Sequence, residues 1–546
     1  MIDNEERAVE AAHKFAGPGK IALCVFAGLV LFIHLWNLGQ IPAGVYVDEI
    51  SIGYNALSIL HTGLDEHGIR FPLFFKAFGE YKNPIYIYAL VPLLKIFGAK
   101  IWVLRFGAAL FGLGTALLIG LIASETMGTG SALFAFGLAG ISPWLFGPSR
   151  VSFEAISFPF FIALAWWCWL RASKLNSFAW FVFSSTAWAI SLFSYSSARL
   201  MTPVLVVALA LFYRRHMKLQ GLQKLLVWIP FVSGVMLLLL WGIYNPGNLT
   251  ERFGTLSIWK HDPKIASTSF KFLSNYLDYF SPSFLFLKGD LNLRHHTGEA
   301  GELFLFTFPA LLAGLVYALE RRKEPLYQFC LLGFLLFPLA ASLTIDYHHS
   351  LRTLNALPFV IILIICGFQR LWIWFSAQRS LVGLLLIVAL FETGRFYSDY
   401  FGSYPARAHA WFIAGLPEAV QTALANKKTS LYYSRSVFAD ESNFINEPDI
   451  YFLFFGQLDA SIYRKAGTAG FDIYPLDEQR KPESGSIILA RRAQEFLTSN
   501  WTQELRDIPN ALPPGSVLLE EIKTPASLTP LRKIAEGNTF RIYRVP

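Results

Sequence analysis

The sequence predicts an all-α polytopic membrane protein with a small α/β domain at its C-terminal end. Three observations carry that prediction: 54% of the 546 residues are hydrophobic and only 15% charged; apolar runs of bilayer length recur up to about residue 396; and the pattern changes after Tyr397. A soluble domain has no means of hiding so much apolar surface. The 50 Phe, 22 Tyr and 15 Trp residues suit lipid-packed helices with aromatic belts at both water interfaces. The net charge of +8 is spread through short loops between apolar runs and forms no basic domain, so it fits membrane topology and excludes a nucleic-acid partner. Cys24, Cys168, Cys330 and Cys366 lie inside apolar runs without metal-like spacing and read as small buried hydrophobes.

Taken in order, residues 1–20 are polar and form a cytoplasmic N-terminal segment. The run Ile21–Leu38 is too long for a signal h-region and lacks a cleavage site, so it is read as a retained span. Further runs near 102–123, 129–147, 156–170, 177–194, 200–213, 225–243, 303–319, 326–344, 354–370 and 380–396 bring the total to about eleven spans. Together they make a transmembrane module over 21–397. With the N-terminus inside, four cytoplasmic turns are basic, carrying Arg171 and Lys174; Arg214, Arg215 and Lys218; Arg321, Arg322 and Lys323; and Arg370 and Arg379. The turn around Glu125 to Gly130 has no Lys or Arg. Residues 40–101, 244–302 and the tail 398–546 are then external.

In the first external loop, Ile50, Tyr54, Leu57 and Leu60 fall at helical spacing. Pro84 opens a second apolar run, Ile85–Phe97, broken by Pro92 and Lys95. Both read as helices lying at the membrane interface. The tail reads as a helix over Ala408–Ala425 followed by strands at Ser430–Tyr433, Ile450–Phe455, Ser486–Leu489, Ser516–Glu520 and Thr539–Tyr543, with no phosphate loop or nucleophile motif.

Cations at outer helix ends are neither topological signals nor cheap to hold near hydrocarbon. Lys82, Arg150, Arg199 and Arg352 occupy such positions, and one anionic partner at the outer leaflet accounts for all four, whereas singly each is also explained by snorkelling to head groups. Guanidinium groups match phosphate, so a lipid phosphate is the natural partner. Asp48-Glu49 follows the first span. A carboxylate there suits a general base acting on an acceptor hydroxyl, and also a helix N-cap, one role for each residue. Glu154, four residues after Arg150, is placed to pair with it on one helix face and orient it. Asp346, His348 and His349, or His295-His296, are poor metal ligands on the view that adjacent histidines point apart. No metal or other cofactor is therefore required.

These residues resemble the GT-C polyprenyl-phosphate-sugar glycosyltransferases, which include the protein O-mannosyltransferases and the bacterial aminoarabinose transferases of lipid A. The resemblance rests on Asp48-Glu49, Gly53-Tyr54-Asn55-Ala56 through Thr62-Gly63 with Asp65-Glu66, Tyr81-Lys82-Asn83-Pro84, Ile141-Ser142-Pro143-Trp144 with Ser149-Arg150 and Phe153-Glu154-Ala155, and Ser197-Ala198-Arg199. It covers the first seven spans well and the later ones weakly. It implies Asp48 as the catalytic carboxylate with Glu49 beside it, and Lys82 as the phosphate contact. The lipid A enzymes have Glu before Lys-Pro-Pro where this chain has Tyr81 before Lys82-Asn83-Pro84, so a metal ligand at that Glu does not carry over.

The sequence thus points to a GT-C-like enzyme of a bacterial or archaeal cytoplasmic membrane, with its site and tail external. Its partners are a polyprenyl-phosphate-linked sugar donor and a lipid, glycan or protein acceptor. Asp48 removes the acceptor proton, transfer inverts the sugar in one step, and Lys82, Arg150, Arg199 and Arg352 bind the leaving phosphate, supported by Glu154, Tyr81, Tyr195, His348 and His349. A transporter and a non-catalytic lipid or sugar binder are the rival classes; the first predicts mid-membrane charges or broken helices.

Overall fold

Every apolar run that the sequence marks as a span is helical in the structure, a computed structural model that describes residues 20–261, 264–345, 348–375, 379–433, 449–475, 486–491, 532–536 and 540–544. Among the described residues five helices are long and apolar enough to cross a bilayer: Ile101–Met127, Glu154–Leu175, Pro325–Ser342, Ser350–Ile373 and Ser380–Phe401. Shorter apolar helices cover Val25–Leu35, Phe178–Ser191, Ala198–Phe212, Ile229–Tyr244 and Leu305–Glu320. The run near 129–147 is a bent pair, Gly130–Ile141 and Pro143–Arg150, at 64°. The break is local chemistry: Ser142 leaves the helical region (φ −58°, ψ 130°), and Pro143, lacking an N–H, suits the first turn of a new helix. The protein is an integral membrane protein.

The described chain divides into two units. The first takes residues 20–38, 79–89 and 105–404. Its helices approach closely at glycine: a Cβ on Gly314 would meet the Leu363 carbonyl at 1.9 Å, and one on Gly367 the Ala310 carbonyl at 1.7 Å. Small residues allow such backbone contact where lipid gives no hydrophobic drive to helix pairing. Ser184 adds an interhelical hydrogen bond to the Ala165 carbonyl at 2.7 Å. On Ser380–Phe401, Leu390 and Phe391 are 73% and 70% exposed, an apolar face suited to lipid. Glu125 pairs with Arg171 at 2.8 Å and with Lys174 at 3.1 Å, so the turn that lacks basic residues of its own sits beside one that has them.

The second unit takes residues 39–78, 90–104 and 405 onward, so most of the first loop folds with the tail. Helix Val47–Thr62 is buried on every face, through Ile50, Ile52, Tyr54, Ala56, Leu57 and Ile59. It is a core helix packed on Asp449–Gly456, where the spacing of four apolar residues predicted one resting on lipid. Tyr54 donates to the Leu458 carbonyl (3.0 Å) and Tyr451 to that of Val45 (3.1 Å). Asp449–Gly456 is a helix where a strand was expected, because a short, fully buried apolar run carries no period to separate the two. Strands Ile473–Pro475, Leu431–Tyr433, Ile487–Arg491, Phe540–Arg544 and Arg532–Glu536 form one sheet in that order, the first three parallel and the last two joined antiparallel. The predicted helix is shorter, Leu416–Asn426, opened by Gly415 at φ 83° and Pro417. The predicted strand Ser516–Glu520 and Asp346 lie outside the described residues.

Candidate active site

In the first unit, strand Glu80–Lys82 runs into helix Pro84–Phe97, and Asn83 fills the joint between them. The Asn83 backbone N–H donates to Glu154 Oε2 (2.6 Å), and its side-chain amide donates to Glu154 Oε1 (2.7 Å) and Ser196 Oγ (3.4 Å). Arg199 donates to Asn83 Oδ1 at 2.8 Å and to the Leu249 carbonyl at 2.9 Å. Lys82, only 5% exposed, and Arg199 both interact electrostatically with Glu154. Two cations thus face one buried carboxylate, on which the Glu80 charge acts as well, so charges of both signs are gathered away from water. Tyr81 sets its ring edge-on to Trp241, 5.4 Å between centroids. Tyr195 lies in the turn before Arg199, its carbonyl accepting from the Ala198 N–H at 3.1 Å.

Glu154 does not share a helix face with Arg150, because Val151 and Phe153 between them are extended (ψ 140° and 134°). Its carboxylate is turned to Asn83 instead. Arg150 is 0% exposed, and its guanidinium donates to the carbonyls of Ile33 (2.7 Å), His34 (3.0 Å) and Trp36 (2.6 Å), with Phe146, Tyr400 and Phe401 around it. These are the carbonyls that the end of helix Lys20–Leu35 leaves open. Such surroundings give Arg150 a structural role that the sequence reading did not foresee: it anchors a helix end. Arg150→Ala is therefore expected to cost about 3 kcal/mol of stability or more, and Arg150→Lys to recover little, since an ammonium does not span three carbonyls. Thermal unfolding in detergent checks this; an unchanged melting temperature for Arg150→Ala returns the residue to the site.

The second cluster comes from residues 278–302 and 344–353. Asp290 Oδ2 accepts the Ser350 N–H (3.0 Å) and lies 2.9 Å from His295 Nδ1. Glu302 Oε1 accepts from the Asp290 N–H (3.2 Å) and from the Ser350 hydroxyl. Burial, with the Asp290 charge adding to it, holds the Glu302 carboxyl well above the usual range. The His349 ring stacks on His295, centroids 4.3 Å apart. His348, at φ 61°, packs on Phe284, with Nε2 2.8 Å from Asp278 Oδ2. Arg352 is 8% exposed and donates to Thr344 Oγ1. Phe153 meets His295 at 5.6 Å, so the segment Phe153-Glu154 touches both clusters. The helix break explains Ser142-Pro143-Trp144: the Ser142 hydroxyl and the Trp144 N–H both donate to the Glu302 carbonyl at 3.0 Å.

In the second unit, Tyr46 caps helix Val47–Thr62 and its N–H donates to Glu49 Oε1 at 3.1 Å. The capping contact thus falls to Glu49, and half-buried Asp48 sits in the first turn without being the N-cap. Asn55 donates to Glu66 Oε1 (2.9 Å), while Asp65 Oδ1 accepts from the N–H groups of His67 (3.0 Å) and Ile69 (2.7 Å). Asn55, Asp65 and Glu66 therefore hold the turn after the helix.

A family model described as dolichyl-phosphate-mannose-protein mannosyltransferase matches residues 82–241, which include Lys82, Asn83, Glu154 and Arg199. The crystal structure of ArnT from Cupriavidus metallidurans bound to undecaprenyl phosphate superposes with a TM-score of 0.52 at 14% identity, covering 96% of this chain and 98% of that one. Its apo state gives 0.52 at 13% identity, covering 96% and 97%. The chain has the fold of ArnT. The archaeal oligosaccharyltransferase AglB from Archaeoglobus fulgidus, in complex with an inhibitory peptide and a dolichol-phosphate, gives a TM-score of 0.47 at 13% identity, covering 86% of this chain and 69% of that one. No curated protein matches it significantly by sequence.

Sequence reasoning passed over Asn83, Asp290, Glu302 and Ser350. Asn83 stood inside a quoted motif without a role. The other three make contact across 48 to 60 residues of chain, and no spacing rule reaches that far.

Proposed function

We propose that this chain is a GT-C glycosyltransferase that moves a monosaccharide from a polyprenyl-phosphate carrier to an acceptor hydroxyl on the outer face of the membrane, with inversion, Asp48 acting as general base. The observation that carries the reading is the buried group of Lys82, Asn83, Glu154 and Arg199, whose two cations suit the phosphate of the leaving lipid. Phosphate departs well without a proton, and what it needs is charge neutralisation. Arg352 is the third donor-binding cation. The undecaprenyl phosphate bound to ArnT supports this carrier class. The acceptor is a lipid, glycan or protein hydroxyl, deprotonated by Asp48 as it attacks the first sugar carbon; the C–O bond to phosphate breaks and its electron pair leaves with the phosphate oxygen.

Lipid extracted with the purified protein and identified by mass spectrometry tests the donor class. A polyprenyl phosphate or its sugar ester is the expected result, and depletion of that lipid in Lys82→Ala and Arg352→Ala ties it to the named cations. Extracts with no polyprenyl phosphate, together with unchanged affinity for added donor in both variants, count against the site.

The outer-face placement rests on the basic turns at 171–174, 214–218, 321–323 and 370–379. Single cysteines at the exposed positions Lys76 and Ser269, in a background without the native four, are expected to react with an impermeant thiol reagent in intact cells. A cysteine at Lys174 is expected to stay unlabelled; the opposite pattern reverses the topology.

A further inference from the structure

We infer that Asp290, His295 and His349 form a divalent transition-metal site, with zinc the best match. Their ligand atoms all lie within 4.8 Å of one another, and Asp290 and His295 are 4% and 7% exposed. Two imidazoles and one carboxylate form the three-ligand set with which zinc sites keep a further position open for water or an anionic oxygen.

The surrounding contacts fix this arrangement before any metal arrives. Asp290 Oδ1 accepts the Asn292 N–H at 2.8 Å, and the Asn292 carbonyl accepts the His295 N–H at 2.9 Å, a tight turn that brings residue 295 back over residue 290. The Tyr279 hydroxyl accepts the His349 N–H at 3.1 Å. Glu302 ties the two ligand-bearing segments together, receiving the Asp290 N–H and the Ser350 hydroxyl on one oxygen. Its other oxygen is buried with no hydrogen-bond partner. Outer contacts of this kind set the orientation of metal ligands.

A plain His–Asp pair involves His295 alone, whereas a metal site uses His349 as well. The second imidazole is brought against the first by a backbone that turns at His348 through φ 61°, a region that non-glycine residues enter at a cost of roughly 1 kcal/mol. Metal ligation by both rings gives that turn a reason. The sequence argument against metal considered adjacent histidines only; here the two come from segments 54 residues apart. The site stands whatever the donor is, and Arg352, three residues beyond His349, gives its open position a cationic neighbour suited to a phosphate oxygen.

The test uses the full chain in detergent. Elemental analysis of the protein purified without chelator is expected to find about one zinc per chain, the stoichiometry of a single site. After chelator treatment, titration with zinc is expected to raise the melting temperature of the wild-type protein, since a ligand bound only by the folded state stabilises it. Cobalt(II) is expected to give the visible bands of a low-coordinate site. His349→Ala and Asp290→Asn are each expected to weaken zinc binding at least tenfold, while His61→Ala leaves it unchanged. Zinc that neither copurifies nor shifts the wild-type melting temperature overturns the proposal, and that arm needs no variant to fold. Equal zinc affinity in wild type and His349→Ala overturns it as well, assigning any bound metal to another place.

Discussion

Asp48→Asn is expected to lower sugar transfer by a factor of about a hundred or more while leaving folding and donor binding close to normal, the usual scale for loss of a general base. Two features make the variant clean. Asp48 lies in the first turn of helix Val47–Thr62, where the cap hydrogen bond is made to Glu49, so that contact survives the substitution. Asparagine also keeps the size of aspartate but has no means of taking a proton. Glu49→Gln preserves the acceptor for the Tyr46 N–H and is expected to be milder. The measurement is transfer of radiolabelled sugar from a defined polyprenyl-phosphate donor in reconstituted membranes, with the melting temperature followed in parallel. Full transfer by Asp48→Asn at normal stability moves the search for the base to Glu49 and Asp65.

The helical framework was legible because a bilayer imposes a length on each apolar run and requires every backbone polar group to be satisfied within the segment. That constraint is written into composition alone, and each marked run is a helix. Where the constraint lapses, legibility falls. Ile50, Tyr54, Leu57 and Leu60 have the period of a lipid-resting helix, yet Ile52, Ala56 and Ile59 between them are buried too, because this helix is enclosed by residues 400 positions away. The run Ile450–Phe455 fails for a related reason: burial on all sides erases the period that tells helix from strand.

The site was half legible. Charge at outer helix ends singled out Lys82, Arg199 and Arg352, since cations near hydrocarbon need a reason. The same rule also caught Arg150, whose reason is three open carbonyls of helix Lys20–Leu35, over a hundred residues earlier in the chain. A sequence shows that a buried charge must have a partner without showing which. Glu154 illustrates this most directly: spacing alone assigns it to Arg150, and two extended residues between them, Val151 and Phe153, give it to Asn83.

That exchange makes Asn83 the residue on which the donor cations depend, and Asn83→Asp is expected to raise the donor KM by about ten- to a hundredfold with a smaller change in kcat. Asparagine uses both ends of its amide here, the nitrogen donating to Glu154 at 2.7 Å and the oxygen accepting from Arg199 at 2.8 Å. Aspartate keeps the size and the acceptor for Arg199, but it sets a carboxylate oxygen against Glu154 where a donor stood, and two carboxylates at that distance repel. The added negative charge also opposes the positive charge of Lys82 and Arg199, so an anionic donor loses attraction before any bond is made or broken. One charge-assisted hydrogen bond is worth about 1.5–3 kcal/mol, which converts to the stated range. The effect belongs to donor binding and not to proton transfer, so the pH dependence of kcat is expected to stay as in wild type, in contrast to any variant at Asp48. Steady-state transfer at varied donor concentration separates the two parameters. A wild-type donor KM in a well-folded Asn83→Asp protein removes this cluster from the donor site and leaves Arg352 as the cation to test next.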